Sequence, residues 1–146
     1  MVHVVDEGSE FDAPIETIWA FLQSPADHGA SHPERTHAEA TPLGESTTMV
    51  SWEQDMNGKK VKVVSRVTAI PPLGLVVEQL EGPMAGSKAF TYYIPRGAKT
   101  GVTVVGEFKS PVVPEAQLEP MVRKGLANAF AQDSASLKTF AHPHHK

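Results

Sequence analysis

The dipeptide Asn57-Gly58 constrains this chain more than any other feature. It separates two runs rich in β-branched residues, and a two-residue type I′ hairpin turn needs φ > 0 at both central positions, which Asn-Gly accepts. The turn dictates a register in which Met56 faces Lys59. One face then pairs Gln54 with Val61, Trp52 with Val63, Val50 with Ser65 and Thr48 with Val67. The other pairs Asp55 with Lys60, Glu53 with Lys62, Ser51 with Val64 and Met49 with Arg66. The first face is mostly apolar, and the second sets opposite charges directly across the ladder. A slip of one residue would destroy both patterns.

Other segments give weaker signals of the same kind. After Phe11-Asp12-Ala13-Pro14, the residues Ile15, Ile18, Trp19 and Leu22 fall at helical spacing, with Asp12 expected to cap the Ile15 amide. Ser24-Pro25 should end that helix, and Ala26 to Glu34 is a candidate second short helix, opposed by Gly29 and Pro33. Leu75 to Leu80 reads as a strand of ambiguous facing. Strands follow from about Lys88 to Ile94 and from Thr100 to Lys109, and a turn centred on Ala98 would set Ile94 against Val102, Tyr92 against Val104 and Phe90 against Gly106. A long helix should begin near Pro114 or Glu115 and reach Phe140, with Leu118, Val122, Leu126, Phe130, Leu137 and Phe140 as its stripe. Pro120 must kink it or open it after a separate turn. Asp133 interrupts the stripe and is expected to point outward.

Composition narrows the classes. With 146 residues the chain is expected to be one domain over 1–141, followed by a frayed His-containing tail, 142–146. A net charge of −4 argues against nucleic acid as a partner, because phosphate backbones need a basic face. The absence of cysteine removes disulfides and thiolate metal sites. No apolar run approaches the roughly 18 residues of an integral membrane segment, and Met1 to Glu7 lacks a basic start, so the cytoplasm is the expected location.

The element order is a strand, one or two short helices, about six or seven antiparallel strands in total and one long helix. The expected fold class is therefore α+β, with a curved antiparallel sheet wrapped around the C-terminal helix. Ser9-Glu10-Phe11-Asp12-Ala13-Pro14-Ile15-Glu16-Thr17-Ile18-Trp19-Ala20-Phe21-Leu22 resembles the opening of the START/Bet v 1-like helix-grip superfamily (SRPBCC), where an acid-Ala-Pro step leads into a helix bearing an Ile/Val-Trp pair. Leu80-Glu81-Gly82 through Gly86-Ser87, with Val105-Gly106-Glu107-Phe108, is similar to the polyketide cyclase/dehydrase-like and carbon monoxide dehydrogenase-related branches. The resemblance implies a cavity between sheet and helix.

Candidate lining residues are Val50, Trp52, Gln54, Met56, Val63, Ser65, Phe90, Tyr92, Val104, Phe108, Met121, Val122, Leu126 and Phe130. The bland alternative is that they simply fill a core. No nucleophile elbow, phosphate loop, dinucleotide fingerprint or His-Glu-x-x-His occurs. His28, His32 and His37 are expected in a solvated loop rather than on a metal, and His142, His144 and His145 lie in the tail without fixed geometry. Neither cofactor nor metal is expected. The leading functional expectation is binding or transport of a small hydrophobic molecule, such as a lipid, isoprenoid, quinone or polyketide-like compound. A cyclase or dehydratase is the first alternative, for which Tyr92, His32 and Asp133 are the residues to test, and it requires an inward polar pair within hydrogen-bond reach. The second is a protein–protein module such as a chaperone ATPase activator. Outward Val64 and Met49 hint at such a surface or at a homodimer contact.

Overall fold

The computed structural model describes residues 1–23, 32, 34–56 and 58–141. Seven strands form one antiparallel sheet: β1 (Val2–Phe11), β2 (Thr36–Pro42), β3 (Thr47–Met56), β4 (Lys59–Ile70), β5 (Gly74–Glu81), β6 (Lys88–Arg96) and β7 (Lys99–Phe108). Their spatial order is β1-β7-β6-β5-β4-β3-β2, so the first strand returns to pair with the last. Two helices complete the fold, α1 (Ile15–Leu22) and α2 (Glu115–Ala141). No helix among the described residues is long and apolar enough to cross a membrane.

The β3–β4 ladder has the register the Asn-Gly turn dictates, from Met56 opposite Lys59 to Thr47 opposite Thr68. Gly58 has φ +83°, and Asn57 lies outside the described residues. Val64, expected to face solvent, is buried at 9% exposure where a bulge shifts the β4–β5 register between it and Ser65. The second hairpin differs from expectation by one residue. Arg96 pairs with Lys99, so Tyr93 faces Val102, Tyr92 faces Thr103 and Phe90 faces Val105. The reason is the turn: only Gly97 and Ala98 lie between the strands, with Gly97 at φ +69°, the left-handed first position of a tight two-residue turn. Because strand side chains alternate, this shift turns Tyr93 toward α2 and places Phe90 and Tyr92 on the opposite, convex face.

Helix α1 begins with Pro14 as its N-cap and no side-chain capping bond, so Asp12 does not cap it; the Pro14 carbonyl accepts from the Thr17 and Ile18 amides instead. The helix ends at Leu22, while Ser24-Pro25, most of the candidate second helix and His28 fall outside the described residues. Helix α2 runs through Pro120 without a separate preceding turn. The tail 142–146 lies outside the described residues.

Two apolar clusters hold the helices on the concave face. Val4, Leu118 and Val122 form one, flanked by Val2, Met84, Phe108, Val113 and Leu126. Phe11, Ala13, Ile18, Phe21, Tyr93, Val102 and Leu137 form the other, where α1 closes one end of the sheet. Phe11 stacks on Phe130, with ring centroids 4.6 Å apart. Thr100, fully buried, donates its hydroxyl to the Ala13 carbonyl at 2.8 Å, tying the β1–α1 corner to β7. These clusters bring α2 close to β1, β7 and α1. The helix is thus anchored along one side of the concave face.

Candidate functional site

On the concave face opposite that anchorage, β3 and β4 present Val50, Trp52, Gln54 and Met56 beside Val63 and Ser65, as the hairpin register requires. Val63 and Ser65 are buried, at 2% and 3% exposure, but Val50, Trp52, Gln54 and Met56 are only half-buried. Val67, Leu75 and Val77 continue this face across β4 and β5 and are half-buried as well. Trp52 donates its indole N–H to Gln54 Oε1 at 2.6 Å, which gives the indole a polar partner on an otherwise apolar surface.

The remaining candidate residues separate into three groups. Val104 faces inward, opposite Thr91. Phe108, Val122, Leu126 and Phe130 point toward the sheet, but each packs within one of the two anchoring clusters. Met121 is 37% exposed and lies off that face. Phe90 and Tyr92 stack on each other on the convex face, so they do not line the concave cleft.

A polar group spans the cleft between α2 and β3, and two expectations fail here. His32 is not in a solvated loop: it is 3% exposed. Asp133 does not point outward: its side chain is 19% exposed, and Oδ1 lies 3.1 Å from His32 Nε2. His32 Nδ1 meets Gln132 Oε1, while Gln132 Nε2 donates to Glu34 Oε1 at 3.1 Å. The Glu34 carboxylate requires the amide nitrogen of Gln132, which leaves its oxygen for His32. Both ring nitrogens therefore face oxygen acceptors, an arrangement that the doubly protonated imidazole satisfies. His37 lies apart, exposed, with Nδ1 3.1 Å from Glu53 Oε1, so that carboxylate has a partner besides Lys62 across the ladder. Among the described residues, no cluster of three or more His, Asp or Glu side chains is arranged to hold a metal.

Arg35 joins this group to the sheet. Its guanidinium carbon sits 4.3 Å from the Trp52 ring centroid, a stacking distance for a cation on an indole. Burial lowers its pKa from the ordinary value, opposed by the nearby charges of Glu34 and Asp133. Tyr93 is held well above the usual phenol value, first by burial and then by Asp133, so its hydroxyl stays protonated. The chemistry available is one oriented imidazole–carboxylate pair, a desolvated planar guanidinium and a buried phenol beside a half-open apolar face. Arg35, Glu34, Gln132 and Tyr93 are not among the sequence candidates. For Tyr93 a usable signal exists, because Gly97-Ala98 as a two-residue turn points it inward.

No protein-family model and no curated protein matches the sequence. Solved structures do. The aromatase/cyclase Zhui from Streptomyces sp. R1128 superposes with TM-score 0.73 at 16% identity, over 99% of this chain and 96% of that one. The chain has the Bet v 1-like helix-grip fold. Another helix-grip match is norcoclaurine synthase from Thalictrum flavum, solved in complex with dopamine and hydroxybenzaldehyde, with TM-score 0.68 at 16% identity, over 99% and 90% of the two chains. Ara h 8.0201 superposes with TM-score 0.71 at 12% identity, over 94% and 98%. At these identities the likeness establishes the helix-grip fold and leaves activity to the residues of the cleft.

Proposed function

We propose that this helix-grip chain binds a small, largely apolar molecule between α2 and the concave face of β3 to β5. The observation that carries the reading is the half-burial of Val50, Trp52, Val67 and Val77 while α2 is anchored on the other side of the sheet. A filled core would have buried them. Apolar contact supplies affinity at about 25 cal/mol per Å² before ordering costs. Arg35 and His32 provide polar contacts for one oxygen-bearing end of the ligand, and the cytoplasm is the proposed location.

The test combines native mass spectrometry of the purified protein with titration of the fluorescent lipophile 1-anilinonaphthalene-8-sulfonate. Binding that weakens at least about tenfold in Trp52→Ala supports the reading. A chain that carries no ligand and binds no member of a lipophile panel overturns it.

The His32–Asp133 pair favours a second reading, in which the same cleft cyclises or dehydrates a bound carbonyl compound. His32 then exchanges a proton with the ligand while Asp133 orients its ring. An aromatase/cyclase and a synthase among the structural neighbours agree with such chemistry on this fold. His32→Ala and Asp133→Asn should each reduce turnover of a poly-β-carbonyl substrate by about 100-fold or more while probe binding persists. Undiminished turnover rejects it.

A further inference from the structure

The convex face of the sheet carries a pattern that neither the cleft nor the helices use. Val5, Val105, Phe90 and Val76 lie side by side in one row across β1, β7, β6 and β5. The next row sets Thr103 beside Tyr92, and Ile94 lies beyond it on β6. These side chains face solvent: Val5 is 52% exposed, Val105 and Ile94 40%, and Tyr92 39%. Phe90 and Tyr92 stack with centroids 4.2 Å apart and planes 8° apart, forming a flat aromatic ridge.

A charged row borders the apolar one. Glu107, Lys88, Glu78 and Arg66 succeed one another across β7, β6, β5 and β4, alternating in sign. Glu78 lies 3.1 Å from Arg66 and 3.9 Å from Lys88, and His3 continues the row on β1, 3.6 Å from Glu107.

We propose that this convex face is a self-association surface whose occupant is a second copy of the chain, related by a two-fold axis along the β6–β7 seam. An axis parallel to the strands returns each row onto itself with the strand order reversed. The low side chains of β7 then lie on the aromatic ridge of β6: Val105 against the partner's Phe90, and Thr103 against the partner's Tyr92. In the charged row Glu107 meets the partner's Lys88, and the two copies build a square of alternating charges. An axis through β6 itself would set Lys88 against its own copy and Phe90 against Phe90, which like-charge repulsion and bulk both oppose. An anionic membrane is a poor occupant for a row in which Glu107 and Glu78 alternate with the cations.

The face is large enough. Five strands about 4.8 Å apart and four rows of about 6.8 Å give on the order of 600 Å² of flat surface per copy, which side-chain relief brings near the roughly 800 Å² per partner of a standard interface. The two sheets would pack face to face, as in aligned β-sandwiches.

Sedimentation equilibrium over a wide concentration range tests this. The wild-type chain should approach twice its 15.7 kDa mass. Val105→Lys should raise the dimer dissociation constant at least about tenfold without altering the circular dichroism spectrum. Lys88→Glu and Glu107→Lys should each weaken the dimer, and their combination should restore it. Both side chains are more than half exposed, at 64% and 57%, so these variants decide the matter even if Val105→Lys loses its fold. A monomeric mass at every concentration overturns the proposal. So does a dimer indifferent to Val105→Lys in a folded protein, or one that the paired charge reversal fails to restore.

Discussion

The two sides of the sheet's concave face use similar residues to different ends. Beside β1 and β7, Val4 and Leu118 are sealed at 0% and 2% exposure, and Val122 closes the same contact. Beside β3 to β5, Val50, Trp52, Val67 and Val77 are as apolar but only half-buried. Hydrophobicity alone does not separate the two sides. What separates them is where one helix can lie: a single cylinder about 10 Å wide covers only two or three strands spaced about 4.8 Å apart, so a seven-stranded sheet with one long helix keeps an uncovered side. The polar bridge from His32 and Arg35 to Asp133 and Trp52 spans that opening rather than filling it.

The seam between the two sides is the most sensitive place to break this arrangement. A Cβ on Gly74 would lie 1.8 Å from the Thr91 carbonyl oxygen, a backbone atom that cannot step aside. Gly74→Ala should therefore cost more than about 4 kcal/mol, or abolish cooperative unfolding, in a urea titration followed by circular dichroism. Next in size, Leu118→Ala on the sealed side should cost about 2–5 kcal/mol, because it leaves a cavity under α2. Trp52→Ala should cost about 1 kcal/mol in the same assay, despite removing a larger side chain, since its ring already meets solvent. Equal costs for Leu118→Ala and Trp52→Ala would mean that the β3 side is core, and the contrast would fail.

The smallest effect concerns the convex face. Arg66 donates to Glu78 at 3.1 Å, and that hydrogen bond, ahead of the charge of Lys88, holds the Glu78 carboxyl below its usual value. A carboxylate with a depressed folded-state pKa stabilises the fold above its unfolded pKa, and that contribution disappears as pH falls through the folded one. Glu78→Gln should lower the melting temperature slightly near neutral pH, and the difference should vanish in acid below the ordinary carboxylate range. A difference that persists there would assign the loss to packing rather than charge.

Much of the fold is legible in the chain because its signals are local. Asn57-Gly58 and the alternation on either side specify ten consecutive pairs of the β3–β4 ladder, and Phe11 to Pro14 announces α1. The facing of β6 departs from expectation for an equally local reason: a turn of two residues rather than three reverses every side chain, and Gly97 holds the φ that permits the shorter one. The site is only half legible. Trp52, Val63 and Ser65 follow from the ladder, whereas His32 and Asp133 are about a hundred residues apart and each reads, from its own neighbours, as a solvent-facing residue.

Periodicity and turn chemistry settle which residues form strands and helices, and in the first hairpin which way each side chain points, since both depend on neighbours a few positions away. The angle at which α2 crosses the sheet depends on contacts such as Val4 with Leu118 and Phe11 with Phe130, made between segments more than a hundred positions apart. Only that docking decides which apolar side chains are sealed and which still meet water, and it is also what carries an aspartate from an imperfect helical stripe to the edge of a buried imidazole.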